Sequence, residues 1–195
     1  MSVERIDVER IAPQPWHNGA GLTREVARAG GAGPAFDWRI SIAEIARDAP
    51  FSAFPGIDRC IVLLRGPGMR LRAKDGAAID HLLTTPFAPY AFSGDMGIDA
   101  SLVAGPCSDL NVMTRRGALT SRVTCERAAV ELPDADITLL LCGAGGWRVD
   151  GAASAPLAVG QALLWRAPRG VLHVRPSPAD RPAVLLVVRL CHDPS

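Results

Sequence analysis

The chain has 195 residues, a formal net charge of +1 and 48% hydrophobic residues, enough to bury a core as one large domain or two small fused ones. With no basic stripe, no apolar run near the ~20 residues of a membrane helix and no basic-then-apolar start in Met1-Ser2-Val3-Glu4-Arg5-Ile6, a cytoplasmic protein without nucleic-acid or membrane partners is expected. The five cysteines, Cys60, Cys107, Cys125, Cys142 and Cys191, are odd in number and form no C-x-x-C pair, so they read as small core residues rather than a disulfide scaffold.

Short strand candidates separated by Gly and Pro run through the chain at 3–11, 21–28, 36–45, 59–65, 69–73, 98–103, 110–113, 122–130, 137–142, 146–149, 162–166, 171–174 and 183–191. This spacing predicts an all-β sandwich or barrel. The best helical candidate is a short one near Ile79–Leu83. Ile137–Cys142 and Val184–Val188 are apolar on both faces and should be central strands.

The first block with chemistry is Trp16-His17-Asn18-Gly19-Ala20-Gly21-Leu22-Thr23-Arg24-Glu25. Gly19 and Gly21 permit left-handed backbone angles and a close approach of main-chain groups, and the flanking side chains can turn toward one small volume, as in a binding loop. An ordinary glycine turn anchored by Trp16, with Asn18 bonding its own backbone, is the alternative. The missing third glycine and Lys-Ser/Thr ending argue against a phosphate loop.

The second block, Phe36 to Ile45, alternates with a period of two. Phe36, Trp38, Ile40 and Ile42 share one face, leaving Asp37, Arg39, Ser41 and Ala43 on the other, which either meets water or lines a barrel interior. Later blocks are Asp48 to Arg59, Ser93-Gly94-Asp95, and Cys107 to Gly117. Together these blocks, in this order from Trp16 to Gly117, resemble those of the HutD/Ves family of small bicupin-like proteins.

That resemblance implies two fused antiparallel β-sandwich or jelly-roll halves and a setting in histidine utilisation. The carry-over is firmest for Trp16, Asn18, Gly19, Gly21, Thr23, Arg24 and Glu25, then for Trp38, Arg39, Ser41, Phe54, Pro55, Asp58 and Arg59, and extends to Gly94, Asp95, Asp109, Asn111 and Arg115. His17 departs from the pattern, standing where the family has Lys or Arg, which makes any charge there pH-dependent.

A low-fidelity repeat supports the halves. Arg59–Leu71 reads strand, Gly66-Pro67-Gly68 turn, strand, and Ile137–Val149 repeats it around Gly143-Ala144-Gly145-Gly146. The expected division is 1–117 and 118–195, packed as one globular unit. In the second half, Gly160-x7-Pro168-x-Gly170-x2-His173 resembles the second cupin motif, a Pro-Gly turn feeding a strand with a histidine.

A metal cupin needs converging imidazoles and a carboxylate, yet His17, His81, His173 and His192 include no pair one or four residues apart, so neither metal nor other cofactor is expected. Ser41, Ser93 and Ser108 lack a nucleophile frame, and nothing near Cys107 compels a thiolate.

The reading is a metal-independent pocket in the N-terminal half that binds a small anionic metabolite. Arg39 or Arg59 would take a carboxylate, Asn18, Thr23, Ser41 and Asn111 would orient it, and Trp16, Phe54 and Phe92 would form apolar walls. Gly19, Gly21, Pro55 and Asp109 would support this arrangement. The resemblance implies the urocanate or N-formylglutamate class and a role in tuning histidine breakdown. Two alternatives stay open: a metal-free hydrolase or isomerase acting on a small amide or acid with Glu25 or Asp95 as base, and an interaction subunit with a vestigial pocket. Exposed sheet edges also leave a homodimer open.

Overall fold

The computed structural model describes residues 3–31, 33, 35–74, 79–150, 156–167, 170–177 and 182–193. Among them the regular elements are strands, numbered β1 to β19 in chain order, and a single 3-10 turn at Val8–Arg10. No helix among the described residues is long and apolar enough to cross a membrane. The chain divides into two compact units, Ile11–Thr120 and a second made of Met1–Arg10 with Ser121–Ser195.

The first unit is a sandwich of two antiparallel sheets. One has the order β2 (Gln14–Pro15), β3 (Gly21–Gly30), β4 (Phe36–Ile45), β11 (Cys107–Arg115), β6 (Ile57–Arg65), β9 (Pro89–Ser93). The other runs β5 (Ala49–Phe51), β10 (Ile98–Leu102), β7 (Met69–Ala73), β8 (Asp80–Leu83). Between them lies a core containing Ile61 and Leu63 of β6, Met69 and Leu71 of β7, and Ile98 and Ala100 of β10. These are alternate residues of their strands, as a sheet with one face turned to the core requires.

The second unit also consists of antiparallel sheets. Its five-stranded sheet has the order β1 (Val3–Asp7), β17 (Gln161–Arg166), β14 (Ile137–Ala144), β19 (Val184–His192), β12 (Leu119–Glu126). The four-stranded sheet is β13 (Val130–Leu132), β18 (Leu172–Pro176), β15 (Gly146–Val149), β16 (Leu157–Ala158). The doubly apolar β14 and β19 are interior strands, as their composition demands. Because β1 pairs with β17, the first residues of the chain belong to this unit, although the sequence division groups them with residues up to 117.

The all-β, bicupin-like architecture matches the sequence reading, and one element does not. Residues Ile79–Leu83, the helical candidate, give the strand β8, whose backbone pairs with β7 from Arg72↔Asp80 to Met69↔Leu83. A segment this short cannot nucleate a helix, whereas the open edge of β7 satisfies its backbone at once.

Trp165, Trp147, Leu140, Leu163, Leu185 and Val187 fill the interior of the second unit. Trp147 is 0% exposed, and its indole occupies volume no neighbour can reclaim. Trp147→Ala should therefore cost about 3–5 kcal/mol of stability, read by urea denaturation followed by circular dichroism. A loss under about 1 kcal/mol would contradict a close-packed interior.

Candidate functional site

The alternation of β4 sends Arg39, Ser41 and Ala43 to the inner face of the first unit. Register then fixes their neighbours on β11: Met113 lies opposite Arg39, Asn111 opposite Ser41 and Asp109 opposite Ala43. On the far side of β11, Arg59 of β6 faces Met113, and Phe92 of β9 faces Arg59. Polar side chains thus form a patch on a surface otherwise given to the core.

This patch lines a cavity of about 710 Å³. Its wall includes Trp16, His17, Asn18, Thr23, Phe54 and Lys74 in addition to Arg39, Ser41, Arg59, Asn111 and Met113. Arg39, Arg59 and Lys74 are cationic, and among the described residues no carboxylate lines the cavity. Such a wall favours an anion.

The loop at the rim is held by its own chemistry. The Trp16 indole N–H donates to Thr23 Oγ1 at 2.7 Å, and its ring meets Phe51 edge-on at 5.9 Å. Asn18 Oδ1 accepts from the Ala20 N–H at 3.0 Å, the self-bonded turn considered above, while its carbonyl accepts from Arg47. Gly19 has φ +64°, and a Cβ on Gly21 would stand 2.5 Å from the Glu44 carbonyl oxygen and 3.3 Å from the Trp16 ring. A side chain at 21 would run into the Glu44 carbonyl first and the Trp16 ring next, so only glycine fits there.

Arg59 is the most constrained group. It is 4% exposed, with Phe92, Phe51 and Phe54 rings 5.0, 5.6 and 5.7 Å from its guanidinium carbon. Its Nη2 donates to Asn111 Oδ1 at 2.8 Å, whereas Nε and Nη1 find no hydrogen-bond partner. Asn111 Nδ2 donates in turn to Asp109 Oδ1, and Asp109 Oδ2 is unpartnered. Burial pulls the Arg59 pKa down to about 10, against the attraction of Asp109, and Arg39 adds to the lowering. Burial also pushes Asp109, which is 0% exposed, up to about 7 against the attraction of Arg59.

Of the expected ligand-binding residues, Trp16, Asn18, Thr23, Arg39, Ser41, Phe54, Arg59 and Asn111 line the cavity. Phe92 does not; it lies beneath the Arg59 guanidinium. Arg39 is engaged, its Nε donating to Glu25 Oε2 at 2.8 Å. Pro55 is exposed in the turn between Phe54 and Ile57, and Asp109 supports Asn111.

The two candidate bases are both occupied and both outside the cavity wall. Glu25 is paired with Arg39 and lies 3.8 Å from Arg28. Asp95 is exposed and accepts from the Gly56 N–H, Ser93 Oγ and Arg116, which hold its pKa down at about 2. Asp58 pairs with Arg116 on the outer face, so adjacent residues of β6 have unrelated roles.

Sequence reasoning missed Phe51, Met113 and Lys74 as lining residues. Met113 continues the inward row of Asp109 and Asn111, so alternation could have found it. Lys74 lies between β7 and β8 and carried no local signal.

A metal of the kind many cupins hold does not fit the described wall, where His17 is the only imidazole and no residue is a carboxylate or thiolate. Among the described residues there is no group of three or more His, Cys, Asp or Glu side chains able to hold an ion. His173 of the cupin-like motif is on the outside of the second unit, its side chain 56% exposed and 3.3 Å from Glu131; Pro168 of that motif lies outside the described residues. Cys60, Cys107, Cys125 and Cys142 are free thiols, and burial raises those of Cys60, Cys107 and Cys142 to about 11, far from thiolate chemistry.

The sequence profile of the HutD family matches residues 8–181. The chain belongs to the HutD family. Among solved structures it is similar to a conserved protein of unknown function from Pseudomonas aeruginosa, with 30% identity, TM-score 0.86, and coverage of 98% of this chain and 100% of that one. It is similar also to HutD from Pseudomonas fluorescens, determined in a formate condition, with 26% identity, TM-score 0.85, and coverage of 99% and 100%. Oxalate decarboxylase from Lactobacillus farciminis in a formate complex shares the fold, with 9% identity, TM-score 0.68, and coverage of 95% and 85%. This HutD-family chain is thus a cupin-like protein linked to histidine utilisation.

The buried Asp109 makes stability pH-dependent in a definite direction. Its folded carboxyl takes a proton near pH 7 and its unfolded one near the model-compound value of 3.8, so the folded state holds more protons between them. The contribution is present at low pH and is lost as pH rises through about 7. Asp109→Asn removes the titration, and its Tm relative to wild type should rise by several degrees from pH 5 to pH 8. A Tm difference that stays constant over that range would show that Asp109 titrates normally.

Proposed function

We propose that this protein binds a small carboxylate metabolite in the cavity of its first unit and through that binding modulates histidine catabolism. The observation that carries the reading is a buried arginine with unpartnered donors in a cavity wall whose described residues include three cationic side chains and no carboxylate. Buried donors left unpaired are costly, and an anion that pairs with them recovers that cost.

Arg59 is the anchor, because Arg39 already serves Glu25 and Lys74 lies 3.6 Å from Asp99. Ser41 and Asn111 lie on neighbouring strands in one cross-strand row and orient the ligand, while Trp16, Phe51, Phe54 and Met113 supply apolar wall. The family link to histidine utilisation points to urocanate and N-formylglutamate as the ligand class. That a relative was determined in a formate condition agrees with a carboxylate. The hydrolase or isomerase reading loses its two named bases, since neither Glu25 nor Asp95 lines the cavity. Recognition without turnover is what remains favoured.

Ligand that binds only the folded state stabilises it by about 2.7 kcal/mol at a concentration of 100 Kd. A thermal-shift series with urocanate, N-formylglutamate and formate should therefore raise the Tm of wild type with at least one of them. Arg59→Met, which keeps the apolar stem but removes the charge, should fold and lose that response. An Arg59→Met protein that responds as wild type does would sink the assignment.

A further inference from the structure

We propose that a carboxylate binding at Arg59 is accompanied by uptake of one proton by Asp109, which makes Asp109 the charge-compensating residue of the site. The inference rests on the carboxylate reading above. Asp109 and Arg59 are joined through one side chain: Asn111 accepts from Arg59 at Oδ1 and donates to Asp109 from Nδ2. With the cavity free of anion, the Asp109 carboxylate is the counter-charge of the buried guanidinium. A ligand carboxylate adds a second negative charge to the same cation, in a place where Asp109 has no access to solvent.

Two carboxylates that share one cation in a dry site do not both stay ionised, and the one with fewer hydrogen bonds takes the proton. Asp109 Oδ2 has no partner, so that oxygen is open to protonation while Oδ1 continues to accept from Asn111. Arg59 is then left to the ligand. The proton comes from solvent, and the charge of the site, Arg59 with Asp109 before and Arg59 with the ligand after, stays balanced.

Among the described residues the surroundings supply no competing group. On β11 itself the nearest titratable neighbour is Cys107, whose thiol stays protonated. On β4 the residue opposite Asp109 is Ala43, and on β6 it is Leu63. Arg39 of β4 acts on Arg59 but is neutralised by Glu25 of β3. The inward residues of the facing sheet, Met69, Leu71 and Ala73 on β7 and Ile98 and Ala100 on β10, do not titrate. The carboxyl of Asp109 is already raised by burial, so only a modest push is needed near neutral pH.

The test is isothermal titration of the full chain with N-formylglutamate, whose carboxyl groups stay ionised from pH 6 to 8, in HEPES and in Tris at pH 8. Buffers of different ionisation enthalpy report the protons taken up. Wild type should take up close to one proton, and its Kd should rise toward tenfold per pH unit above about 7. Asp109→Asn, which retains the acceptor for Asn111, should bind with no uptake and a flat Kd. Difference infrared spectra of wild type should gain a protonated-carboxyl band on ligand addition, which keeps the test decisive even if that variant folds poorly. His17→Gln, which removes the only imidazole on the wall, should keep the uptake, and its loss there would overturn the proposal. Binding by wild type without proton uptake would overturn it while leaving Arg59 as anchor. No binding of N-formylglutamate, urocanate or formate at any pH would overturn the carboxylate reading itself, and this inference with it.

Discussion

Placing a guanidinium on the inward row of a strand, where the next residues are Ile61 and Leu63, removes a charge from water at considerable cost. The first unit tolerates Arg59 because three phenylalanine rings face its cation, an asparagine accepts from one nitrogen and a buried carboxylate lies behind that asparagine. Cation–π attraction is strongest where water is absent, and it leaves the guanidinium edges unused. The result is a charged group held in place with donors still to satisfy. Much of the cavity's character follows from that arrangement: aromatic walls fix the cation, neighbouring strands bring Ser41 and Asn111 beside it, and the described wall presents no acid to a ligand.

The two units use similar antiparallel frameworks for different ends. The interior of the second unit holds Trp147, Trp165 and a row of Leu and Val from β14, β17 and β19, and its motif histidine turns outward to Glu131. In the first unit β4 and β11 place polar residues at inward positions instead, and the core yields a cavity there. One framework therefore carries a packed body and a polar pocket, and the difference lies in a few inward residues.

How much of this could be read from sequence depended on where a strand lies in its sheet. Interior strands, such as β4, β14 and β19, declared themselves through strict alternation or an unbroken apolar run. The strands that were not anticipated, β2, β5, β8, β9, β13 and β16, are all edge strands. Several carry proline, as in Gln14–Pro15, Ala49–Phe51 and Pro89–Ser93, which an edge accepts because one side of its backbone has no partner. Their pattern is weak since half their environment is solvent. Within the site, period-two alternation exposed Arg39 and Ser41, and family resemblance added Arg59 and Asn111. Alternation could not choose between the two arginines, because Glu25 reaches Arg39 across a bulged β3–β4 pairing that sequence does not reveal. Nor could it show that Phe92 lies under the cation, a consequence of β9 pairing beside β6.

The role of Arg59 as an anion anchor is tested most directly by a crystal structure of the protein grown with N-formylglutamate or urocanate. The expected result is a ligand carboxylate oxygen within hydrogen-bond distance of Arg59 Nη1 or Nε, with Asn111 still bridging to Asp109. A well-ordered ligand elsewhere in the cavity, its carboxylate turned away from Arg59, would contradict it.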